Sequence, residues 1–270
     1  PHADPATNAA HACGHHTQIG MLVATAAALQ TPGIMENLSG RIALIAVPAE
    51  EYIEIEYRNE LRRKGKIEFL VGKSEFIRLG AFDDVDMAIM THTDNQEPNT
   101  KFNVGGTFNG MIAKLIRYTG LSAHAGSEPH LGVNALNAAT FALSAIHAQR
   151  ETFREQDFIR VHPIITRGGG AVSAIPDDVR IETFIRGRTI EAVQSAGKKV
   201  DRALKAGAWA MGASVSITSI PGFLPLQNDT NMQALHTENA TRLLGEGSVA
   251  YRGHETGSSD MGDLSNIMPI

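Results

Sequence analysis

Cys13 and His15 stand two residues apart on a turn that also carries His11 and His16, and they are the first groups in this chain able to do chemistry. A thiolate and an imidazole at that spacing suit a zinc-like cation. Ile19, Leu22, Val23, Ala26 and Leu29 then recur at helical spacing, so the turn opens a helix. The N-terminus of that helix is expected to lower the thiol pKa. Two ligands do not complete a site, and the remaining candidates are Glu50, Glu51 and His92. Neighbouring side chains in an extended segment point oppositely. One carboxylate of the Glu pair can therefore bind a metal while the other takes a proton from water, a division of labour that suits metal-assisted hydrolysis. Taken singly, a Glu pair is a solvated doublet and His92 a surface histidine. A Cys beside a His also permits a thiol nucleophile, but that reading leaves the two glutamates without a role.

The elements needed to bring these groups together are visible in the hydrophobic pattern. Gly40 to Pro48 is a continuous apolar run, expected as a strand buried on both faces, and it ends in Ala49-Glu50-Glu51. Asp86 to Thr91 reads as a second buried strand ending in His92, and the charged stretch from Glu54 to Lys66 as a solvated helix. In open α/β sheets the carboxyl ends of the strands line the crevice where separate turns converge. Near Lys101 the pattern changes. Strands over Met111–Leu121, Phe158–Thr166, Val179–Arg188 and Ser214–Ile220 alternate with helices over Gly132–Gln149 and Ile190–Met211, which gives β-α-β-β-α-β. Gly168-Gly169-Gly170 is read as a hairpin turn, and Thr230–Leu244 as a helix. The expected fold class is α/β: a mainly parallel-sheet catalytic domain (1–101 and 222–270) with an inserted α+β, ferredoxin-like lid and dimerisation domain (102–221).

Composition excludes other classes. A net charge of −5 and a pI near 6.1 give no reason to expect nucleic acid or an anionic membrane as partner. No apolar run is long enough to span a bilayer, and no signal peptide is recognisable. A lone cysteine rules out an internal disulfide, so a reducing, cytoplasmic compartment is expected. The chain opens on Pro1 within a loop and stops at Ile270, and it reads as a fragment of something longer.

His11-Ala12-Cys13-Gly14-His15, Pro48-Ala49-Glu50-Glu51, His92, and Gly120-Leu121-Ser122-Ala123-His124-Ala125-Gly126 through Pro129, Gly132, Asn134 and Ala135 resemble, in this order, the M20 metallopeptidases. The similarity is to the amidohydrolase branch that includes indole-acetyl-amino-acid, N-acyl-amino-acid and aminobenzoyl-glutamate hydrolases. The run Gly257-Ser258-Ser259-Asp260-Met261-Gly262-Asp263 leans toward the last of these. The resemblance implies two divalent metal ions per subunit, zinc or manganese, held by Cys13, His15, Glu51 and His92, with Glu50 as general base and acid. It implies a homodimer through the lid, whose His124 reaches the partner's site and stabilises the oxyanion. Arg186 would hold the carboxylate of a small-molecule substrate, with Ser173 as a further substrate-binding contact from the lid. His16 stands where many relatives carry Asp, Ser173 where they carry Asn, and the family's last ligand His would lie beyond Ile270. A non-catalytic, dimeric metal- or ligand-binding relative is the other reading, and a free Glu50 argues against it.

Overall fold

The computed structural model describes residues 4–8, 13–94 and 100–270, so His2 and the His11-Ala12 start of the first motif lie outside it. Helix α1 (His15–Leu29) opens directly behind Cys13. Helices α2 (Ile55–Arg63) and α3 (Gly72–Arg78) follow, the first as the charged, mostly exposed helix its composition dictates. Strand β1 (Phe102–Phe108) leads through Asn109 into β2 (Gly110–Thr119). After these come α4 (Ala135–Gln149), β3 (Arg160–Val161), β4 (Ile164–Arg167), β5 (Asp178–Gly187), α5 (Ile190–Met211) and β6 (Ser214–Pro221). The chain closes with β7 (Leu226–Gln227), α6 (Thr230–Leu244), β8 (Val249–Glu255) and α7 (Met261–Ser265).

The inserted module forms as the alternation of its residues requires. Its sheet runs β3-β5-β2-β6, with β4 also on β5, and every pairing is antiparallel. Residues of β5 alternate in burial along the strand, because one face packs on α4 and α5. Those two helices approach closely through small residues: a Cβ on Gly207 would collide with the Ala138 carbonyl oxygen. Asn134 and Thr189 cap α4 and α5 by accepting the Asn137 and Ala192 backbone N–H groups, and Gly212 (φ 68°) ends α5. The expected β-α-β-β-α-β order is present. The Gly168–Gly170 turn is not a tight hairpin, because residues 168–177 form a longer loop. That loop is drawn out to pair with the segment around His124, through a bridge between His124 and Ala174.

The first part of the chain departs from expectation. Gly40–Pro48 and Asp86–Thr91 take no regular secondary structure, and among the described residues neither is hydrogen-bonded into a sheet. Ile42 and Ile89 are 47% and 68% exposed, so these runs are not the doubly buried strands their apolarity suggests. The small second sheet runs β7-β1-β8 and does not reach them; its one parallel pairing is β1 with β8, and β1 pairs β7 antiparallel. Strand β1 belongs to this small sheet and β2 to the inserted one, so the chain passes between the sheets at Asn109. Its side-chain amide donates to the Phe158 carbonyl at 2.9 Å, and His254 Nε2 lies 3.0 Å from its Oδ1. A cluster of Tyr52, Ile55, Leu70, Met111, Ile220 and Phe223 joins the Glu50 turn to the inserted sheet.

Candidate metal centre

Three separate turns deliver the candidate ligands. The first depends on Gly14, which adopts a left-handed φ of 88° and lies against Thr93; a Cβ there would meet Thr93 Oγ1 at 2.5 Å. Glycine is the one residue that meets both conditions without strain. The contact, with Gln18 Nε2 donating to the Thr91 carbonyl at 2.6 Å, fastens the start of α1 to the run that ends in His92. The second turn carries a non-glycine residue in the left-handed region, Ala49 at φ 57°, immediately before Glu50. Such strain persists where the surroundings fix it, and functional sites are where it gathers. Arg58 Nη1 donates to the Glu51 and Leu70 carbonyls, and Tyr52 donates its hydroxyl to the Pro221 carbonyl at 2.9 Å. The third turn is held at His92, whose Nδ1 lies 2.6 Å from the Thr93 carbonyl oxygen and so carries the proton. Its Nε2 lone pair is left facing Cys13 Sγ at 3.4 Å.

The five side chains converge. Ligand atoms of Cys13, His15 and His92 all lie within 4.8 Å of one another, as do those of His15, Glu50 and Glu51. His15 Nε2 is shared, 3.5 Å from Glu50 Oε2 and 3.8 Å from Glu51 Oε1. Both glutamates thus reach toward His15 instead of pointing to opposite sides of an extended strand. One sulfur, imidazole nitrogens and carboxylate oxygens, clustered with all but the exposed His92 half-buried, fit one or two zinc-like divalent ions.

Electrostatics sort the members of this cluster. Burial pushes the Cys13 thiol up to about 11, with Glu51 and Glu50 adding to the effect. The expected lowering of the thiol pKa is therefore corrected. A raised thiol pKa disfavours the free thiolate that a cysteine hydrolase uses, whereas a bound metal would favour loss of that proton. Burial raises the Glu50 carboxyl above its usual range. The Asp260 charge adds to this, while Lys73 and His92 act against it.

A cavity opens beside the glutamates, lined by Glu50, Glu51, Tyr52, Phe184, Arg186 and Ser258 among others. Arg186 projects into it from β5, and burial alone pulls its guanidinium below the usual arginine range. None of the ion pairs among the described residues involves it. Arg188, two residues on, lies over the Phe158 ring at 5.8 Å as Arg186 lies over Phe184 at 5.6 Å, but it is not among the residues lining the cavity. The Ser258 hydroxyl is buried without a hydrogen-bond partner, and Ser258 lines the same cavity; sequence reasoning assigned it no role. His124 and Ser173 are brought to each other rather than to this cavity, with the Ala125 N–H donating to the Ser173 carbonyl at 2.8 Å. His124 is exposed, and its Nδ1 accepts from the Gly126 and Ser127 N–H groups, each at 3.1 Å. Its proton therefore sits on Nε2, which points away from its own loop as a donor.

Residues 106–208 match the M20 peptidase dimerisation domain. An Xaa-Arg dipeptidase from Mus musculus is 27% identical over 96% of the chain and 56% of its own length. An indole-3-acetyl-aspartic acid hydrolase from Enterobacter agglomerans is 28% identical over 77% of the chain and 43% of its own length. The crystal structure of a dinuclear metal-binding peptidase of the M20 family from Bacillus subtilis superposes with a TM-score of 0.61, at 20% identity, over 96% of this chain and 62% of that one. The chain thus spans about half the length of the curated relatives it matches most fully. Residues 106–208 carry the M20 peptidase dimerisation domain, and over about half of their length the chain is similar to a dipeptidase and to an amino-acid-conjugate hydrolase.

Proposed function

We propose that the protein is a metal-dependent hydrolase of the amide bond in an N-acyl amino acid or small peptide-like substrate such as p-aminobenzoyl-glutamate. The observation that carries this reading is the convergence of Cys13, His15, Glu50, Glu51 and His92 beside a cavity that holds Arg186 without a carboxylate partner. Cys13, His15, Glu51 and His92 would hold two divalent ions, zinc or manganese; these supply the Lewis acidity that makes water a nucleophile near neutral pH. Glu50 takes the proton from the attacking water on Oε2 and passes it to the leaving nitrogen. Its raised pKa suits both halves of that transfer. Arg186 offers a planar fork of donors to the substrate carboxylate, and its pull orients the scissile bond toward Glu50. Ser173 borders the His124 loop and would steady it. The inserted domain pairs two copies of the chain, and His124 of each donates from Nε2 to the oxyanion that develops in the other's site. A lone cysteine and an acidic surface suit a cytoplasmic enzyme acting on small molecules. Among the described residues no helix is long and apolar enough to cross a membrane.

The adjacent glutamates test the assignment. Glu50→Gln is expected to keep its metal and lose at least about a hundred-fold in kcat, within the usual range for general-base catalysis. Glu51→Gln is expected to lose metal as well. Metal analysis beside steady-state kinetics separates the roles. Loss of metal from Glu50→Gln alone would show them exchanged, and wild-type turnover by both variants would overturn the site.

A further inference from the structure

A buried ion pair lies under the Glu50 turn, and neither the metal cluster nor the substrate cavity accounts for it. Lys73 Nζ meets Asp260 Oδ1 at 2.5 Å, and the Lys73 backbone N–H donates to Asp260 Oδ2 at 3.2 Å. Asp260 is fully buried and Lys73 nearly so. Taking two charges out of water is costly, and such a pair seldom adds stability over an apolar one, so its position calls for another reason. The next residue along, Ser259, gives that reason. Its Oγ accepts from the Met261 N–H at 3.3 Å, which leaves its own proton for Glu50 Oε1 at 3.5 Å.

Helix α3 is clamped to both sides of this arrangement. Gly72 lies so close under the Glu50 turn that a Cβ there would collide with the Pro48 carbonyl oxygen, and its N–H donates to the Ala49 carbonyl at 3.3 Å. On the other side the neighbour of Lys73, Ser74, hydrogen-bonds Asp263, which also accepts from the Leu224 N–H at 2.9 Å. Two successive residues of α3 thus grip the two aspartates of the Asp260-Met261-Gly262-Asp263 run.

We propose that Lys73, Asp260 and Ser259 are positioning residues for Glu50. The ion pair locks the 257–260 turn at the depth where the Ser259 hydroxyl holds Oε1 of Glu50, leaving Oε2 turned to His15 and the metal cluster, 3.5 Å from Nε2. This inference rests on the reading of Glu50 as the general base.

The test is a double-mutant cycle on the metal-loaded protein, with p-aminobenzoyl-glutamate as the probe substrate. Ser259→Ala removes one hydrogen bond to a charged group and leaves the buried pair in place. It is expected to lower kcat about ten-fold at unchanged KM and unchanged metal stoichiometry. In the Glu50→Gln background the same change is expected to cost nothing further, because the group it positions is gone. In the metal-free protein, Lys73→Met and Asp260→Asn are each expected to lower the thermal midpoint, and together by less than the sum of the two. An unchanged kcat for Ser259→Ala while Glu50→Gln is inactive would overturn the positioning role and leave the base assignment standing. An equal loss in the Glu50→Gln background would overturn it too, by showing an effect that bypasses Glu50. Full turnover by Glu50→Gln would sink both readings together.

Discussion

At the scale of the residue, the cluster shows which chemistry side-chain type can announce and which it cannot. Cys13, His15, Glu50, Glu51 and His92 were legible because a soft thiolate, imidazoles and paired carboxylates at turns have few other uses in combination. Ser259, Lys73 and Asp260 were not. A lysine in a charged stretch reads as surface, and its partner lies 187 residues away along the chain, a distance no local pattern spans. Strand alternation alone does not separate Arg186 from Arg188; the resemblance points to Arg186, and Arg186 is the one that lines the cavity. Arg186→Ala is therefore predicted to raise KM for a substrate with a free carboxylate by about ten- to hundred-fold, the worth of a lost charge-assisted contact. A substrate amidated at that carboxylate should lose the difference between variant and wild type. Equal KM values for variant and wild type on the free acid would remove Arg186 from the site.

At the scale of the element, periodicity was a sound guide where a helix or strand has one apolar face, and a poor one where the run is apolar throughout. Helices α5 and α6 begin and end at the residues the pattern marks, because Thr189 and Asp229 cap their starts and Gly212 and Gly245 close them. Gly40–Pro48 and Asp86–Thr91 carry no such punctuation and no alternation. Their strand character depends on a neighbouring strand that the pattern itself cannot supply. The join at Asn109 is another feature that sequence hides. There His254 makes contacts from both ring nitrogens, Nδ1 at 2.8 Å from Thr107 Oγ1 and Nε2 at 3.0 Å from Asn109 Oδ1, with Phe158 packed on its ring. Burial, and then the Arg188 charge, hold its pKa below the usual histidine value. The unfolded chain therefore binds a proton at His254 more readily than the folded one. The stability this imposes is present above about pH 6.5, the ordinary histidine pKa, and is lost as pH falls below it. The thermal midpoint of His254→Gln is predicted to fall less than that of wild type between pH 7 and pH 5. Parallel curves for the two proteins would remove His254 from that linkage.

At the scale of the whole molecule, the chain passes between its two sheets at Asn109 and again between β6 and β7, and the groups assigned to chemistry are split between the first part of the chain and the inserted sheet. The metal cluster belongs to the turns of the first part, Arg186 to the inserted sheet, and His124 to an exposed loop on that sheet with its Nε2 proton directed outward. In the function proposed above, a second copy of the chain completes the site, a reading that the matched dimerisation domain supports. Mixing a His124→Ala variant with a Glu50→Gln variant, each reduced about a hundred-fold or more, is predicted to restore part of the activity, because one of the two sites in a mixed dimer then has both groups. Exchange of chains without recovery would confine His124 to its own chain.

The central claim is that metal held by the Cys13, His15, Glu51 and His92 cluster is what lets Glu50 drive amide hydrolysis, and a metal titration of the stripped protein addresses it most directly. Hydrolysis of p-aminobenzoyl-glutamate, followed as zinc or manganese is returned to the chelator-treated protein, should rise from background to a plateau at about two bound ions per chain, the stoichiometry of a two-metal hydrolytic site. Full hydrolysis by the metal-free protein, or metal bound to that stoichiometry without any rise in rate, would contradict the account.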